Sequence, residues 1–221
     1  MTTHVKSFAE RWLGPITAVS LGAAAVGLTG MNVYSTYRRW NEPPPEPTGS
    51  FGEWRSLVAS AERRGPANAK VNIVMFTDYE CPACRTANPV LRRIQRNHAE
   101  QVSLTLMHYP LEGHLAARPA ALSAICAAEQ GRLWQMDSAL VRAQSLAPRA
   151  LWSIARTSGV VDSAAFARCM ESTDAAARLE SDMAQGGRVG VIATPTILVN
   201  DAIFTGLPPR LDRVVSAMLE R

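Results

Sequence analysis

The chain has 221 residues, of which 47% are hydrophobic and 19% charged, and its formal net charge is +4. This composition is typical of a globular protein and excludes an intrinsically disordered chain. The 23 basic residues are scattered along the sequence, which argues against a nucleic-acid-binding surface. With only four cysteines in a chain of this length, a small scaffold held together by many disulfides is excluded as well.

The N-terminal segment is predicted to anchor the protein in a membrane. No charged residue occurs from Trp12 to Tyr37, and about 20 helical residues are enough to cross the hydrocarbon core of a bilayer. Lys6 and Arg11 precede this run, as basic residues do in signal peptides and signal anchors. An uncleaved anchor is favoured over a cleaved signal peptide, because the apolar run is long and no clear cleavage site follows it.

A proline-rich stretch follows the predicted anchor. Residues 41–50 read NEPPPEPTGS, and such closely spaced prolines favour a stiff, extended linker without a core of its own. The predicted organisation is therefore a cytoplasmic tip and membrane anchor (or signal peptide) in residues 1–40, a linker in residues 41–50, and one domain in residues 51–221. That domain has an ordinary size for a single hydrophobic core.

The first part of this domain has the pattern of a strand, a helix and a second strand. Residues 51–64, FGEWRSLVASAERR, precede it and are predicted to form a short amphipathic helix. The continuous apolar run KVNIVMFTD, residues 70–78, is typical of a buried strand. Apolar residues at helical spacing follow in CPACRTANPVLRRIQRNHAE, and QVSLTLMHYP predicts the second strand.

A CPAC motif lies where the first strand gives way to the helix, and Pro82 fits the first helical position. The pair Cys81 and Cys84 allows three interpretations: half of a metal site, a structural disulfide, or a redox-active pair. A structural zinc site needs four ligands, and Cys126 and Cys169 are isolated in the sequence. A helix N-terminus stabilises a thiolate, which is the species that attacks disulfides. The motif therefore favours a redox-active pair, and no metal is expected.

The C-terminal part of the chain predicts a strand pair. Residues 190–206, GVIATPTILVNDAIFTG, predict a strand at Thr196–Asn200, a tight turn, and a second strand at Ala202–Thr205. The segment RLDRVVSAMLER predicts a final helix. A CxxC motif beside a strand–helix–strand unit, with these elements following, indicates thiol redox chemistry on an α/β fold.

These segments together resemble the DsbA-like branch of the thioredoxin fold. The resemblance lies in IVMFTDYECPAC, PLEGHLAARPAALSAICAAEQGRLWQMDSAL, FARCM and GVIATPTILVN, and it covers nearly everything from about Val71 to the C-terminus. It implies a thioredoxin fold with a helical insertion at about residues 114–188.

The resemblance also implies roles for individual residues. The reactive pair corresponds to Cys81 as the exposed, attacking cysteine and Cys84 as the more buried, resolving cysteine. Thr194 and Pro195 correspond to the loop that holds the substrate backbone, with a cis peptide bond before the proline. The two remaining cysteines, which this family often pairs, are expected to form a structural disulfide between Cys126 and Cys169, although two buried free thiols are the alternative. No cofactor is implied.

Two departures from the family pattern bear on the chemistry. Met75 occupies the position where many relatives carry an acidic residue that helps to move the proton of the buried thiol. The dipeptide between the cysteines lacks the histidine of the strongest oxidants, so a weaker oxidant is expected. Asp78 and Glu80 lie closer to the cysteines and are expected to be solvated caps at the strand end, with a part in moving the proton of the buried thiol as the alternative. His114 is expected to cap or pack at the start of the insertion.

The sequence as a whole predicts a thiol:disulfide oxidoreductase, with the oxidase direction favoured. Its partners would be cysteine-containing extracytoplasmic proteins and a membrane quinone-linked reoxidase of the DsbB or VKOR type. The expected location is the bacterial inner membrane, with a single span and the catalytic domain in the periplasm, or a secreted form if the N-terminus is cleaved. The alternatives are a disulfide reductase of the same fold, for example in cytochrome c maturation, and a chaperone that binds metal through the CxxC.

Overall fold

The computed structural model describes residues 28–37, 42–59 and 61–221. The chain divides into two compact units, Met1–Pro43 and Pro44–Arg221. Of the predicted anchor, residues 12–27 lie outside the described residues, and residues 28–37 are helical. None of the helices described has the length and apolarity that a membrane span requires.

A six-stranded sheet forms the centre of the second unit. Its strands are β1 Gly49–Ser50, β2 Arg63–Arg64, β3 Val71–Thr77, β4 Val102–His108, β5 Thr196–Val199 and β6 Ala202–Thr205. Their order across the sheet is β1-β6-β5-β3-β4-β2. The two long strands, β3 and β4, are parallel. Parallel pairing requires a crossover connection, which is usually a helix. The other strand pairs are antiparallel.

The helices of this unit are α1 Trp54–Ala59, α2 Pro82–Asn97, α3 Ala117–Ala128, α4 Leu133–Leu140, α5 Pro148–Thr157, α6 Ser163–Met170, α7 Thr173–Val189 and α8 Leu211–Glu220. The predicted strand–helix–strand unit corresponds to β3, α2 and β4. Helices α3 to α7 all lie between β4 and β5, where the insertion was expected at about residues 114–188. The predicted thioredoxin fold with a helical insertion is confirmed.

Side chains of the central strands alternate between the two faces of the sheet, as the pleat dictates. Ile73 and Met75 of β3 belong to the core that α2 and α8 cover. Val74 and Phe76 belong to the core on the other face, against α1. Because both faces are covered by helices, every residue of β3 is buried, and five of its seven residues are apolar. A third core lies within the helical insertion.

The start of the domain differs from the prediction. Residues Gly49–Ser50 were assigned to the linker but pair with Ile203 and Ala202 of β6. The Thr48 amide also donates to the Ile203 carbonyl oxygen, at 2.7 Å. An outer strand offers unpaired backbone donors and acceptors, so this short segment joins the sheet in spite of the prolines before it. The linker therefore ends earlier than residue 50.

The predicted helix over residues 51–64 is also too long. Only Trp54–Ala59 is helical, and Arg63–Arg64 form an edge strand against β4. Gly65 allows this change of direction, because its φ is +107° and a Cβ there would lie 2.6 Å from the Val102 carbonyl oxygen. Backbone pairing with β4 thus outweighs the helical pattern of the last residues.

A disulfide joins Cys126 of α3 to Cys169 of α6, with the two Cα atoms 5.6 Å apart. Both cysteines belong to the core of the helical insertion. The pair is the one that the family resemblance implied. The two cysteines are 43 positions apart in sequence. The bridge therefore lowers the conformational entropy of the unfolded insertion.

Replacing both cysteines, Cys126→Ala with Cys169→Ala, is expected to lower the free energy of unfolding by about 4 kcal/mol, the chain-entropy value for a loop of this length. Urea unfolding followed by circular dichroism measures the change. The matched control is Cys81→Ala with Cys84→Ala, which removes the other cysteine pair and leaves this bridge intact. Four free thiols in the unfolded, mildly oxidised wild-type protein would contradict the bridge.

Candidate active site

The CPAC motif begins helix α2. Cys81 is the N-cap of the helix, with an extended backbone, and Pro82 is its first residue. The buried strand β3 ends at Thr77, so a short turn over residues 78–80 carries the chain from the sheet to the helix. Both cysteines are unbonded thiols in the structure. Cys81 therefore lies at the N-terminal end of the helix, where the helix dipole favours a negative charge, although its side chain accepts no capping hydrogen bond.

The two thiols differ in their access to solvent. Cys84 is completely buried, whereas Cys81 is 8% exposed. Cys81 is thus less exposed than the resemblance implied, because it belongs to the core formed with β3 and α8. The order of accessibility is nevertheless the one expected for an attacking and a resolving cysteine.

Burial raises the pKa of the Cys84 thiol to about 12. The Asp78 backbone amide donates a hydrogen bond to Cys84 Sγ over 3.4 Å and acts in the opposite direction. A thiol with such a pKa is almost entirely protonated at neutral pH. Cys84 must therefore lose a proton before it can attack a disulfide.

The loop before β5 lies against the sulfur of the first cysteine. The Cys81 thiol donates to the Thr194 carbonyl oxygen, at 3.3 Å. The peptide bond between Thr194 and Pro195 is cis. The structure therefore brings together Cys81, Cys84, Thr194 and Pro195, which are separate in sequence and were all candidates for this site.

Asp78 is not the solvated cap that the sequence suggested, because its side chain is completely buried. Its Oδ1 accepts from the amides of Glu80, at 2.7 Å, and Cys81, at 3.3 Å. Its Oδ2 accepts from the Leu111 amide, at 2.9 Å, and lies 2.6 Å from His114 Nδ1. The prediction was wrong because the loop that opens the insertion folds over the strand end and replaces water around the carboxylate.

Two further contacts attach the insertion to the CPAC turn and helix. The Glu80 carboxylate accepts from the Ala116 amide, at 2.8 Å. Arg85 of α2 donates to the Val141 carbonyl oxygen, at 3.0 Å, and to that of Ala143. Hydrogen bonds to charged groups stabilise by about 1.5–3 kcal/mol each when well formed. The insertion therefore holds the beginning of α2 in place from two sides.

A buried carboxylate in the insertion, Asp137 of α4, escaped the sequence analysis. It accepts from Tyr79 Oη at 3.2 Å, Asn88 Nδ2 at 2.8 Å and Arg92 at 2.9 Å. Burial raises the pKa of Asp137 to about 6, and the Arg92 guanidinium lowers it again in part. Since Asn88 and Arg92 belong to α2, this network fixes α4 against the helix that carries the cysteines.

Met75 is completely buried in the same core as the two cysteines. It lies on β3, opposite Ile197 of β5 and Leu106 of β4. A thioether cannot accept the proton of a thiol at neutral pH, so the chemistry of this core position differs from that of relatives with an acid there. Among the residues that the structure describes, no group of three or more potential metal ligands occurs.

The arrangement has the parts that thiol–disulfide exchange needs. A cysteine near the surface lies at a helix N-terminus, where a thiolate is stabilised by the helix dipole and the first-turn amides. A second, buried cysteine lies one turn further along the same helix. The backbone of the Thr194–Pro195 loop passes beside the first sulfur.

Comparisons with known proteins agree with this geometry. A family model described as Thioredoxin matches residues 60–217. A thioredoxin-like oxidoreductase from Silicibacter pomeroyi is 26% identical with a TM-score of 0.65, over 73% of this chain and 91% of that chain. The thiol-disulfide exchange protein alpha-DsbA2 from Wolbachia pipientis is 17% identical with a TM-score of 0.67, over 76% of this chain and 91% of that one.

One similar protein is named as an ion antiporter and not as an oxidoreductase. The Na(+)/H(+) antiporter NhaA 3 of Salinispora tropica is 34% identical over 158 residues, which are 71% of this chain and 24% of the antiporter. The chain thus spans about a quarter of the length of that relative. The match of the family model covers most of the domain and contains both cysteines of the CPAC motif. The chain belongs to the thioredoxin family.

Proposed function

We propose that the protein is an oxidase that introduces disulfides into extracytoplasmic proteins through Cys81 and Cys84. The observation that carries the proposal is the position of the pair. A partly accessible Cys81 lies at the N-terminus of α2, a fully buried Cys84 lies behind it, and the Thr194–Pro195 loop lies alongside.

The reaction starts from the Cys81–Cys84 disulfide. A client thiolate attacks Cys81 Sγ, the bond between the two cysteines breaks, and Cys84 leaves with the electron pair and takes up a proton. A second client thiolate then attacks the client sulfur of this mixed disulfide. The client disulfide forms, Cys81 is released as a thiolate, and two electrons have passed from the client to the cysteine pair.

Two exposed apolar side chains beside the site suit unfolded clients. Leu115, 90% exposed, lies between His114, which contacts Asp78, and Ala116, which contacts Glu80. Ile192, 86% exposed, precedes the Thr194–Pro195 loop. Exposed apolar residues on loops next to a reactive group favour contact with the apolar segments that unfolded proteins expose.

The reduced pair must be reoxidised after each client. A membrane quinone-linked reoxidase of the DsbB or VKOR type would accept the two electrons from Cys81 and Cys84. Such a partner would act from the membrane, which agrees with an anchor in the N-terminal segment.

A reductase is the second candidate, and one feature of the sequence favours it. The Pro82–Ala83 dipeptide between the two cysteines has no histidine, the residue that the strong oxidants of the resembled family carry there. A weaker oxidant lies closer in reduction potential to the reductases.

Substitution of the resolving cysteine, Cys84→Ala, is expected to make stable mixed disulfides with client proteins accumulate on Cys81, because no thiol remains to resolve them. Cys81→Ala is expected to trap almost none, since Cys84 is buried. Non-reducing gels of extracts from cells that express each variant, followed by mass spectrometry of the bands, measure the trapping. Equal trapping by the two variants would contradict the assigned roles.

The direction of electron flow is tested by the reduction potential of the pair. A value between about −120 mV and about −200 mV is expected, because that range covers strong and moderate disulfide donors. Equilibration with glutathione buffers, followed by alkylation and mass analysis, gives the potential. A value near about −270 mV would identify a reductase instead.

The membrane location is part of the proposal and rests on the uncharged run from Trp12 to Tyr37. The full-length protein is expected to remain in the membrane pellet after a carbonate wash, which removes proteins that are bound only to the surface. Release into the wash, or a mature N-terminus beyond Tyr37, would contradict an uncleaved anchor. Antiport is not proposed for this chain, which spans about a quarter of the antiporter relative.

A further inference from the structure

A groove lined by arginines lies outside the site of the two cysteines. It has a volume of about 820 Å³ and is formed by β2, α2, α4, the segment after α4 and the end of α5. Among the described residues that line it, three are arginines and none is an aspartate or a glutamate. We call it the arginine groove, and its polar lining includes Arg64, Arg92, Arg142, Ser138 and Ser158.

The positive charge of the arginine groove is only partly balanced. Arg92 of α2 pairs with the completely buried Asp137, at 2.9 Å from Oδ2. In the part of the chain that the structure describes, Arg64 and Arg142 form no salt bridge. The groove therefore has a surplus of positive charge that the protein itself does not neutralise.

The guanidinium of Arg64 is held at the groove. Its central carbon lies 5.8 Å from the centre of the Trp134 ring, which also lines the groove. Burial lowers the pKa of Arg64, and the nearby charges of Arg92 and Arg96 lower it further. Charges of the same sign at close range repel each other. An anion bound between them would replace this repulsion with attraction.

A buried hydroxyl group at the groove also needs a partner. Ser158 is only 7% exposed, and its Oγ has no hydrogen-bond partner among the described residues. Buried polar groups are nearly always hydrogen-bonded, to the protein or to a bound molecule. Ser158 follows the C-terminus of α5, where the helix dipole disfavours a negative charge. The charged group of a ligand therefore belongs nearer the arginines, and an uncharged oxygen nearer Ser158.

The chemistry of the lining favours a phosphate group. The planar guanidinium of arginine donates two parallel hydrogen bonds to the oxygens of a phosphate or a carboxylate. A phosphate monoester carries a charge of about −1.5 to −2 at pH 7 and offers three acceptor oxygens. It matches the two arginines without a salt bridge, Arg64 and Arg142, better than a carboxylate with a single charge does.

We propose that the arginine groove binds a terminal phosphate group, carried by a soluble phosphate compound or by the headgroup of an anionic lipid. Arg64 and Arg142 donate to the phosphate oxygens, and Arg92 adds its charge while it remains bound to Asp137. The ligand thereby connects β2 to α2 and to the segment after α4. The proposal does not depend on the direction of electron flow at the cysteines.

The experiment measures binding through the thermal stability of the full-length protein in a neutral detergent and a phosphate-free buffer. A ligand that binds only the folded protein raises the midpoint of unfolding, and the concentration dependence of the rise gives its Kd. Inorganic phosphate is the first probe, with sodium chloride at equal ionic strength as the reference for screening. Phosphatidic acid in the detergent micelles is the second probe, with phosphatidylcholine as its reference.

Two substitutions test the groove. Arg64→Gln and Arg142→Gln are each expected to weaken phosphate binding about tenfold, because each removes a charged hydrogen-bond donor. Arg92 is left unchanged, since its removal would leave the buried Asp137 without its cation.

The matched control is Arg118→Gln. Arg118 pairs with Glu180 at the surface and is not among the described residues that line the groove. Its substitution changes the net charge by the same amount as each groove variant. The control is expected to keep the wild-type Kd.

A rise with inorganic phosphate that both groove variants reduce, and the control retains, supports a site for soluble phosphate compounds. The same pattern with phosphatidic acid alone identifies a lipid headgroup as the source. No rise with either probe, or equal losses in the groove variants and in the control, would overturn the proposal. If Arg64→Gln does not fold, Arg142→Gln decides, because Arg142 is exposed.

Discussion

The arrangement of the site depends on excluding water from one thiol, Cys84, while the other, Cys81, remains accessible to a substrate. Cys84 can be fully buried only because α2 packs directly onto β3, and Cys81 can remain near the surface only because it is the residue at which α2 begins. A helix that started one residue earlier or later would rotate both sulfurs by about 100°. The turn over residues 78–80 therefore determines the chemistry of the site as much as the cysteines do.

The helical insertion acts on this turn although it lies outside the thioredoxin core. Its first loop provides the partners of Asp78, and its later connection holds Arg85. Its own core is closed by the Cys126–Cys169 bridge. A stable insertion thus helps to fix the beginning of α2. Loss of the bridge would therefore affect the active site through the loops of the insertion that contact Asp78 and Arg85.

Much of the fold and of the site could be predicted from the sequence, for physical reasons. The run of β3 is apolar because both faces of the sheet are covered, and the position of Cys81 follows from Pro82 at the helix start. Local patterns could not predict the burial of Asp78, because its partners come from a loop 33 to 36 residues away. Asp137 was missed for the same reason, since only packing of α4 against α2 removes it from water.

The two shortest strands of the sheet affect how readily an extended polypeptide could pair with its edges. Strands β1 and β2 are its two edges, and each has only two residues. A long, unpaired edge offers a template on which an extended chain adds a further strand, whereas a very short edge strand offers few backbone groups for such pairing. For the proposed oxidase, which would meet extended, partly folded polypeptides, such short edges would limit coaggregation with them and leave the cysteines as the place of contact.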